Sequence, residues 1–277
     1  MTDPVARPLH ERIADPLFRK AVACIDAGDA DGLAALLAKH PALTQVATHL
    51  PGEGYFEHPT LLEFIAENPI RHGRMPENIV EVAQAILDAD PGPSRDSVTS
   101  ALALVCSGRI VRECGYQLAL IALLCRSGAE TAPAMRTALG HSELAAAEAL
   151  LSHGALLDLP VAAGLGYADK VDALIERSNS EQRHLSLALS AQLGHAGIVL
   201  TLLERGEDPS RYNPEGAHAH STPLHQAALA GHDDVVRALL YHGARRDLAD
   251  KAHNALPWQW ARHAGHAALA ERLKPHT

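Results

Sequence analysis

Aromatic residues are scarce in this chain of 277 residues, at 4% of the sequence. Because hydrophobic residues of all kinds still make up 47% of it, the chain can bury a large core. That core must come mainly from Leu, Ala, Val and Ile. At this length the sequence predicts one or two domains, or one repeat array.

Cysteine is also rare. The four cysteines, Cys24, Cys106, Cys114 and Cys125, lack zinc-knuckle spacing and are too few to indicate a disulfide framework. We therefore expect a reducing compartment. The N-terminal segment has no apolar stretch after its charges, which argues against a secretory signal. The longest apolar run, near residues 118–125, is too short to span a bilayer, so we expect a cytoplasmic protein.

Positive charge is in deficit, with a formal net charge of −9 and a pI of about 6.0. Phosphate groups would repel such a molecule as a whole, which argues against non-specific binding to nucleic acids or to anionic membranes. The basic clusters, at residues 71–74, 109–112 and 245–246, are short. The sequence therefore predicts no nucleic-acid partner and no membrane partner.

Familiar catalytic motifs are missing. The sequence contains no Gly-x-Ser-x-Gly elbow, P-loop, dinucleotide fingerprint or His-Glu-x-x-His pair. Glu53, Glu57 and His58 have the chemistry of acid–base groups, but nothing in the sequence places them near a nucleophile. The sequence therefore assigns no catalytic residue, no cofactor and no metal ligand, and it leaves open whether the protein is an enzyme.

A well-formed helical unit, STPLHQAALAGHDDVVRALLYHGARRDLAD, occupies residues 221–250. Thr222 is suited to cap a helix that begins at Pro223, where a missing N–H costs nothing. Gly231 is suited to the left-handed residue that ends this helix. A second helix with paired leucines then leads to Gly243. The unit is therefore a helix-turn-helix.

This unit resembles an ankyrin repeat. The signature T-P-L-H-x-A-A-x-x-G-H lies at residues 222–232, and V-V-x-x-L-L-x-x-G-A lies at residues 235–244. Patterns like that of the second helix recur along the chain. They lie at residues 33–41, 82–91, 118–129, 147–155, 171–178, 199–208, 236–244 and 269–275. We therefore predict an all-α ankyrin-repeat solenoid of about eight helix-turn-helix units with irregular finger loops.

We expect an N-terminal extension over residues 1–14 and a single ankyrin array over residues 15–275. Its best-matching repeats are at 186–275, and degenerate repeats with insertions occupy 15–185. The segments YFEHPTLLEFIAENPIR, NIVEVAQAILD and RYNPEGAHAHSTPLHQAALAGH resemble a group of bacterial ankyrin-repeat proteins. That resemblance covers most of the chain but implies no reaction. This chain has ALPW where the group has a Gly-Thr-Pro-Leu segment.

Function is expected where the repeat pattern is interrupted, because the regular positions serve stacking. The interruptions lie at residues 49–74, 207–221 and 251–260. We expect the last two, one repeat apart, to lie side by side. The candidate binding residues are Tyr55, Phe56, Arg71, Tyr212, Asn213, His218, His220, Arg245, His253 and Trp258.

Each of these candidates also has a purely structural interpretation. The aromatic side chains of Tyr55 and Phe56 are equally compatible with packing their loop onto the core. Trp258 and Trp260 could close the end of the array, and for Trp260 the sequence favours this role. His218, His220 and His225 are a potential zinc set, but the third is usually structural in ankyrin repeats.

The resemblance implies a non-enzymatic module that binds a protein partner on a concave surface of fingers and first helices. The alternative is a protein that binds a small molecule, or catalyses a metal-assisted reaction, at the 207–221 and 250–258 fingers.

Overall fold

The computed structural model describes residues 8–90, 92 and 94–274. Within them the chain is helical, and the one pairing of strand type is an isolated antiparallel bridge between Ala47 and Thr60. The all-α, ankyrin-type fold is therefore confirmed. Residues 1–7 of the predicted extension, and residue 275 of the predicted array, lie outside the described part.

The helices alternate between two sets. The first helices of the pairs are α1 (Pro16–Ala27), a 3-10 helix (Leu61–Ala66), α4 (Arg95–Ser107), α7 (Thr131–Gly140), α9 (Leu159–Leu165), α11 (Ser180–Leu193), α13 (Pro223–Ala230) and α15 (Pro257–His263). The second helices are α2 (Ala30–Lys39), α3 (Ile79–Ala89), α6 (Gln117–Arg126), α8 (Leu144–Ser152), α10 (Ala168–Ile175), α12 (Ala196–Glu204), α14 (Asp233–Tyr241) and α16 (Ala267–Leu273). A short helix, α5 (Arg109–Glu113), and further 3-10 turns at Leu9–Arg12, Pro41–Thr44 and Gly54–Phe56 complete the described elements. Each of the eight segments with the recurring pattern overlaps the C-terminal part of one of these second helices.

The chain divides by its packing into two compact units, residues 1–155 and residues 156–277, called here the first and second units. The prediction of a single array over residues 15–275 stays a prediction. Residues 9–12 of the predicted N-terminal extension form a 3-10 helix, and Ile13 is fully buried, so this part of the extension packs within the first unit.

In the first unit, α1 packs against the 3-10 helix at Leu61–Ala66, which packs against α4, and α4 packs against α7. In the second unit, α9, α11, α13 and α15 pack in series, and α10, α12 and α14 form a second layer. The core of the second unit consists largely of Leu, Ala, Val and Ile, as the composition requires.

The best repeat shows how local sequence sets the fold. Helix α13 begins at Pro223 and ends at Gly231, whose φ of 75° is in the left-handed region. Helix α14 then begins after His232. The loops on either side of this repeat, residues 205–222 and 242–256, are called here the second and third fingers. The first finger is residues 47–60.

Among the described residues, no helix has the length and apolar character needed to cross a membrane. The four cysteines, all in that described part, are free thiols.

Candidate functional site

The second and third fingers lie side by side, as predicted. The Tyr212 hydroxyl donates a hydrogen bond to the carbonyl oxygen of Ala249 at 2.6 Å. The backbone N–H of Lys251 donates to the carbonyl oxygen of His220 at 2.7 Å. The Lys251 ammonium lies 4.1 Å from the centre of the Tyr212 ring, a favourable cation–π distance. Tyr212 therefore joins the two fingers and is only partly exposed.

Asn213 holds the second finger closed and does not present its side chain at the surface, which argues against its assignment as a binding residue. Its side chain is buried. Its backbone N–H donates to the carbonyl oxygen of Ser221 at 2.8 Å, and its side-chain amide reaches the Ser221 hydroxyl at 3.4 Å. Gln226, on α13, donates to the same hydroxyl at 2.9 Å.

The three histidines of the hypothetical zinc set do not form a metal site. His225 is fully buried, and both ring nitrogens are used: Nδ1 lies 2.8 Å from the Thr222 hydroxyl and Nε2 lies 3.1 Å from the carbonyl oxygen of Ala255. Because the carbonyl can only accept, Nε2 carries the proton. Burial lowers the pKa of His225. The rings of His218 and His220 are 6.1 Å apart and nearly perpendicular.

Trp260 is held firmly beside these fingers. Its indole N–H donates to the carboxylate of Asp250 at 3.0 Å. Its ring lies 5.7 Å from that of His220 and 5.2 Å from that of His225. The indole is only partly exposed, so one edge is fixed by protein contacts and the remainder is available to a ligand.

Asp250 fixes both Trp260 and the third finger. The side chain is buried and accepts hydrogen bonds from the backbone N–H groups of Ala252, His253 and Ala255, at 2.6–3.0 Å, besides that from the indole. Burial alone raises the pKa of Asp250, but these hydrogen bonds together outweigh it and lower the pKa to about 2. The carboxylate is therefore charged at neutral pH.

A cavity of about 570 Å³ opens where the third finger meets the first helices α13 and α15. We call it the finger pocket. Its lining is Leu229, His253, Ala255, Gln259, Trp260 and His263. Three of these side chains are apolar and two are imidazoles, so the pocket combines hydrophobic surface with titratable hydrogen-bonding groups.

The two tryptophans of α15 differ in their surroundings. Trp258 packs against the core of the second unit, with Arg262 and Lys274 over its ring at 4.7 and 5.4 Å. Trp260 lines the finger pocket instead. The signal was present in the sequence, because aligning Pro257 with Pro223 puts Trp258 in the place of the core residue Leu224.

Of the remaining candidates of these fingers, His218, Arg245 and His253 are exposed, and His220 is partly exposed. His253 lines the finger pocket, and the rings of His220 and His253 are 6.5 Å apart. Arg245 is exposed and forms a bidentate ion pair with Asp247 at 2.9–3.0 Å. It does not line the pocket. The structure therefore brings together His220, His253 and Trp260, and leaves Arg245 outside this group.

The three candidates of the first unit separate in the structure. Phe56 is 1% exposed and packs edge-on against Phe64 at 5.2 Å, which corrects its assignment as a binding residue. Tyr55 is 71% exposed, and its hydroxyl donates to the side chain of Asn68 at 2.7 Å. Arg71 has a buried side chain. Of these three, Tyr55 alone presents its side chain to solvent.

Arg71 belongs to a second cavity, of about 610 Å³, in the first unit. Its guanidinium donates to Asp26 at 2.7 Å and lies 3.2 Å from a carboxylate oxygen of Glu67. Glu67 also accepts hydrogen bonds from the backbone N–H groups of residues 71–73. Two guanidinium nitrogens, Nε and Nη1, are buried with no hydrogen-bond partner among the described residues, and the Phe64 ring lies beneath the group at 5.2 Å. The Arg71 charge is thus paired with two carboxylates of this cavity, and for that reason we prefer the finger pocket as the binding site.

Residues 220–251 match the family model of the ankyrin repeat. The matched segment begins at the end of the second finger, contains α13 and α14, and ends within the third finger. No curated protein matches the chain significantly. Ankyrin repeats generally mediate protein–protein interactions. The alternative of a small-ligand or catalytic site at these fingers gains no support, because Tyr212, Asn213 and His225 are used in structural hydrogen bonds.

Proposed function

We propose that this protein is a non-enzymatic interaction module that holds a partner protein against the finger pocket of the second unit. The ankyrin repeat at residues 220–251 supports the general role. The position of the pocket, between a finger and the first helices α13 and α15, supports the more specific assignment.

The fixed position of the Trp260 indole is the single observation that carries this proposal. Tryptophan is enriched among residues that dominate binding energy, and a side chain fixed before binding loses less conformational entropy when a partner arrives. The hydrogen bond from Trp260 to Asp250 and the contacts with His220 and His225 fix the indole in this way. Such rigidity suits a preformed contact surface.

The chemistry of the pocket suggests the segment that it holds. Leu229, Ala255 and Trp260 offer an apolar surface. Lys251 and Arg262 lie within two residues of lining residues in the sequence, are exposed, and carry positive charge over the Tyr212 and Trp258 rings. We therefore infer that the partner inserts an aliphatic or aromatic side chain that is flanked by carboxylates, since opposite charges on the two partners favour association.

Photocrosslinking in cells of the source organism tests this assignment and identifies the partner. A photoreactive phenylalanine analogue would replace Leu229 or His263 in the pocket, or Tyr241 as the control. Tyr241 is an aromatic residue on α14 that is 87% exposed but does not line the pocket. We expect one protein to be crosslinked from both pocket positions and not from residue 241. Equal crosslinking from all three positions, or none from the pocket, would contradict the proposal.

A further inference from the structure

The first finger brings together three side chains that the repeat architecture does not need. Residues 47–50 pair in an antiparallel arrangement with residues 57–60, through the bridge between Ala47 and Thr60. The backbone N–H of Thr48 donates to the carbonyl oxygen of Pro59 at 3.0 Å. The backbone N–H of Leu50 donates to the backbone carbonyl oxygen of Glu57 at 2.8 Å. This register puts residue 49 directly opposite residue 58.

His49 and His58 are these opposed residues, and both are exposed. Side chains directly across an antiparallel pair are close neighbours. The two imidazole rings accordingly stack, with centres 4.8 Å apart and planes inclined by 18°. Thr48 and Leu50, on either side of His49, are buried, so the alternation of the strand keeps the histidine outside.

Glu57 joins the two histidines because the backbone leaves the extended conformation there. It follows the 3-10 turn at Gly54–Phe56 and has φ −73° and ψ −31°. In a regular strand, adjacent side chains point to opposite faces, but a helical residue is free of this constraint. One ligand atom from each of His49, Glu57 and His58 lies within 4.8 Å of the other two.

These donor atoms are not used by other protein groups. Within the described residues, the side chains of His49, Glu57 and His58 have no hydrogen bond or ion pair, and their one ring contact is the stack between the histidines. A similar group, Asp26, Glu67 and His72, differs in this respect. The Arg71 guanidinium and backbone N–H groups already occupy its carboxylates.

The first finger is also anchored near its tip and at residue 60, so its backbone is held before any ion arrives. Near the tip, Arg12 donates to the carbonyl oxygen of Pro51 at 2.7 Å and pairs with Glu53. At residue 60, the hydroxyl groups of Thr60 and Ser97 are 2.7 Å apart. Anchoring lowers the cost of organising a ligand set.

We propose that His49, Glu57 and His58 bind a divalent transition-metal ion, with zinc as the reference ion. Imidazole nitrogen suits zinc and related ions, whereas Ca²⁺ and Mg²⁺ prefer all-oxygen sets. Two histidines and one carboxylate leave at least one coordination position for water or for a donor from another molecule. Tetrahedral bonds of about 2.0–2.1 Å need donor atoms roughly 3.4 Å apart. The donor atoms already lie within 4.8 Å of one another, so binding requires side-chain rotations that bring them closer by up to about 1.4 Å.

The site belongs to the first unit and is independent of the finger pocket. The net charge of the chain, −9, favours binding of a cation in general, because it attracts cations to the molecule as a whole. The ion would link the two sides of the first finger, and each of its ligands must be deprotonated to bind it.

Calorimetric titration of the full chain, purified without a polyhistidine tag, with zinc chloride tests this site. Absorption of the cobalt(II) form, whose visible bands report coordination geometry, provides a second readout. The variants are His49→Ala, His58→Ala and Glu57→Gln. The matched control is His218→Ala combined with His220→Ala, a pair that is also close in sequence but has perpendicular rings.

We expect one zinc ion per chain with a dissociation constant on the order of micromolar. Each histidine variant should weaken this binding by at least about tenfold, because loss of even an outer-shell partner costs that much. Glu57→Gln should weaken it less, and the control should bind as the wild type does. Because the replaced side chains are exposed or partly exposed, thermal unfolding of the metal-free variants should match that of the wild type.

Absence of a stoichiometric ion in the wild type would overturn the proposal. Wild-type affinity in His49→Ala or His58→Ala would do the same, since the ion would then be bound elsewhere. Wild-type affinity in Glu57→Gln would overturn the three-ligand set.

Discussion

At the scale of single residues, Asp250 has more structural consequences than any other residue of the fingers. It is a buried charge, which is costly unless hydrogen bonds compensate it. Four donors do so here, three from the finger backbone and one from Trp260. One carboxylate therefore fixes both the third finger and the indole that lines the finger pocket.

Replacing Asp250 with Ala should lower the free energy of unfolding by about 3 kcal/mol, because four partly buried donors lose a charged acceptor at once. Asp247→Ala is the control, since that carboxylate is exposed and pairs with Arg245 at the surface. Urea unfolding at neutral pH provides the measurement. If both variants unfold at the same urea concentration, Asp250 does not hold the finger.

Buried imidazoles predict how the stability depends on pH. Burial lowers the pKa of His184, and it lowers the pKa of His225 by more than the nearby Asp250 raises it. In the unfolded chain both titrate near pH 6.5. Below that pH the unfolded state binds more protons than the folded state, so the free energy of unfolding falls as the pH decreases. Above pH 6.5, the contribution of both histidines to the free energy of unfolding no longer changes with pH.

His184→Gln isolates one of these groups. Glutamine can still donate to the carbonyl oxygen of Tyr212, which His184 reaches at 2.9 Å, but it does not titrate. Urea midpoints at about pH 7.5 and 5.5 should therefore differ less in this variant than in the wild type. An identical difference in both proteins would show that protonation of His184 is not linked to unfolding.

At the scale of helices and turns, a repeated histidine connects neighbouring repeats of the second unit. His195, His232 and His266 each precede a second helix. Each ring nitrogen Nε2 lies 3.0–3.1 Å from a backbone carbonyl oxygen of the preceding repeat. These three histidines therefore contribute to the stacking of neighbouring repeats.

These rings lie against glycines that end first helices, and this contact predicts a difference between two glycines. Gly231 and Gly243 both have left-handed φ angles, of 75° and 89°. A Cβ atom at Gly231 would lie 2.5 Å from the His266 ring, whereas one at Gly243 would meet nothing within 4 Å. Gly243→Ala should cost about 1 kcal/mol from backbone strain alone, and Gly231→Ala at least about 2 kcal/mol because His266 must also move.

Thermal unfolding of the two alanine variants makes this comparison. Equal losses would mean that the His266 ring moves aside freely, and that its hydrogen bond to Leu229 contributes little.

The helices were easier to predict than the binding surface. The eight second helices follow from local apolar periodicity, and the end of α13 follows from Gly231. The burial of Phe56 does not follow from local sequence, because it depends on Phe64, eight residues away, and on the packing of Phe64 with Phe18. Asn213 was misassigned for a related reason: a polar residue in a loop is usually exposed, and here the loop closes over it.

At the scale of the whole molecule, the two compact units contain the two sites that we infer. The finger pocket lies in the second unit, where the ankyrin repeat is recognised, and the proposed metal site lies in the first. The net charge of the chain does not indicate where either site lies. The chain is acidic overall, whereas the groups at both sites include histidines. The main functional claim concerns the finger pocket, because the repeat and the fixed indole support it independently.

The affinity of the purified protein for the partner identified by crosslinking tests this claim most directly. We would compare Trp260→Ala and Leu229→Ser with Tyr241→Ala, after checking that each variant is folded and unfolds in a single transition. Leu229→Ser leaves the Trp260–Asp250 hydrogen bond in place, so it separates loss of contact from loss of structure.

Loss of a dominant contact costs about 2 kcal/mol, or roughly thirtyfold in Kd. We predict such a loss for Trp260→Ala, a smaller loss for Leu229→Ser and none for Tyr241→Ala. Unchanged affinity in both pocket variants would contradict the claim that the partner binds there.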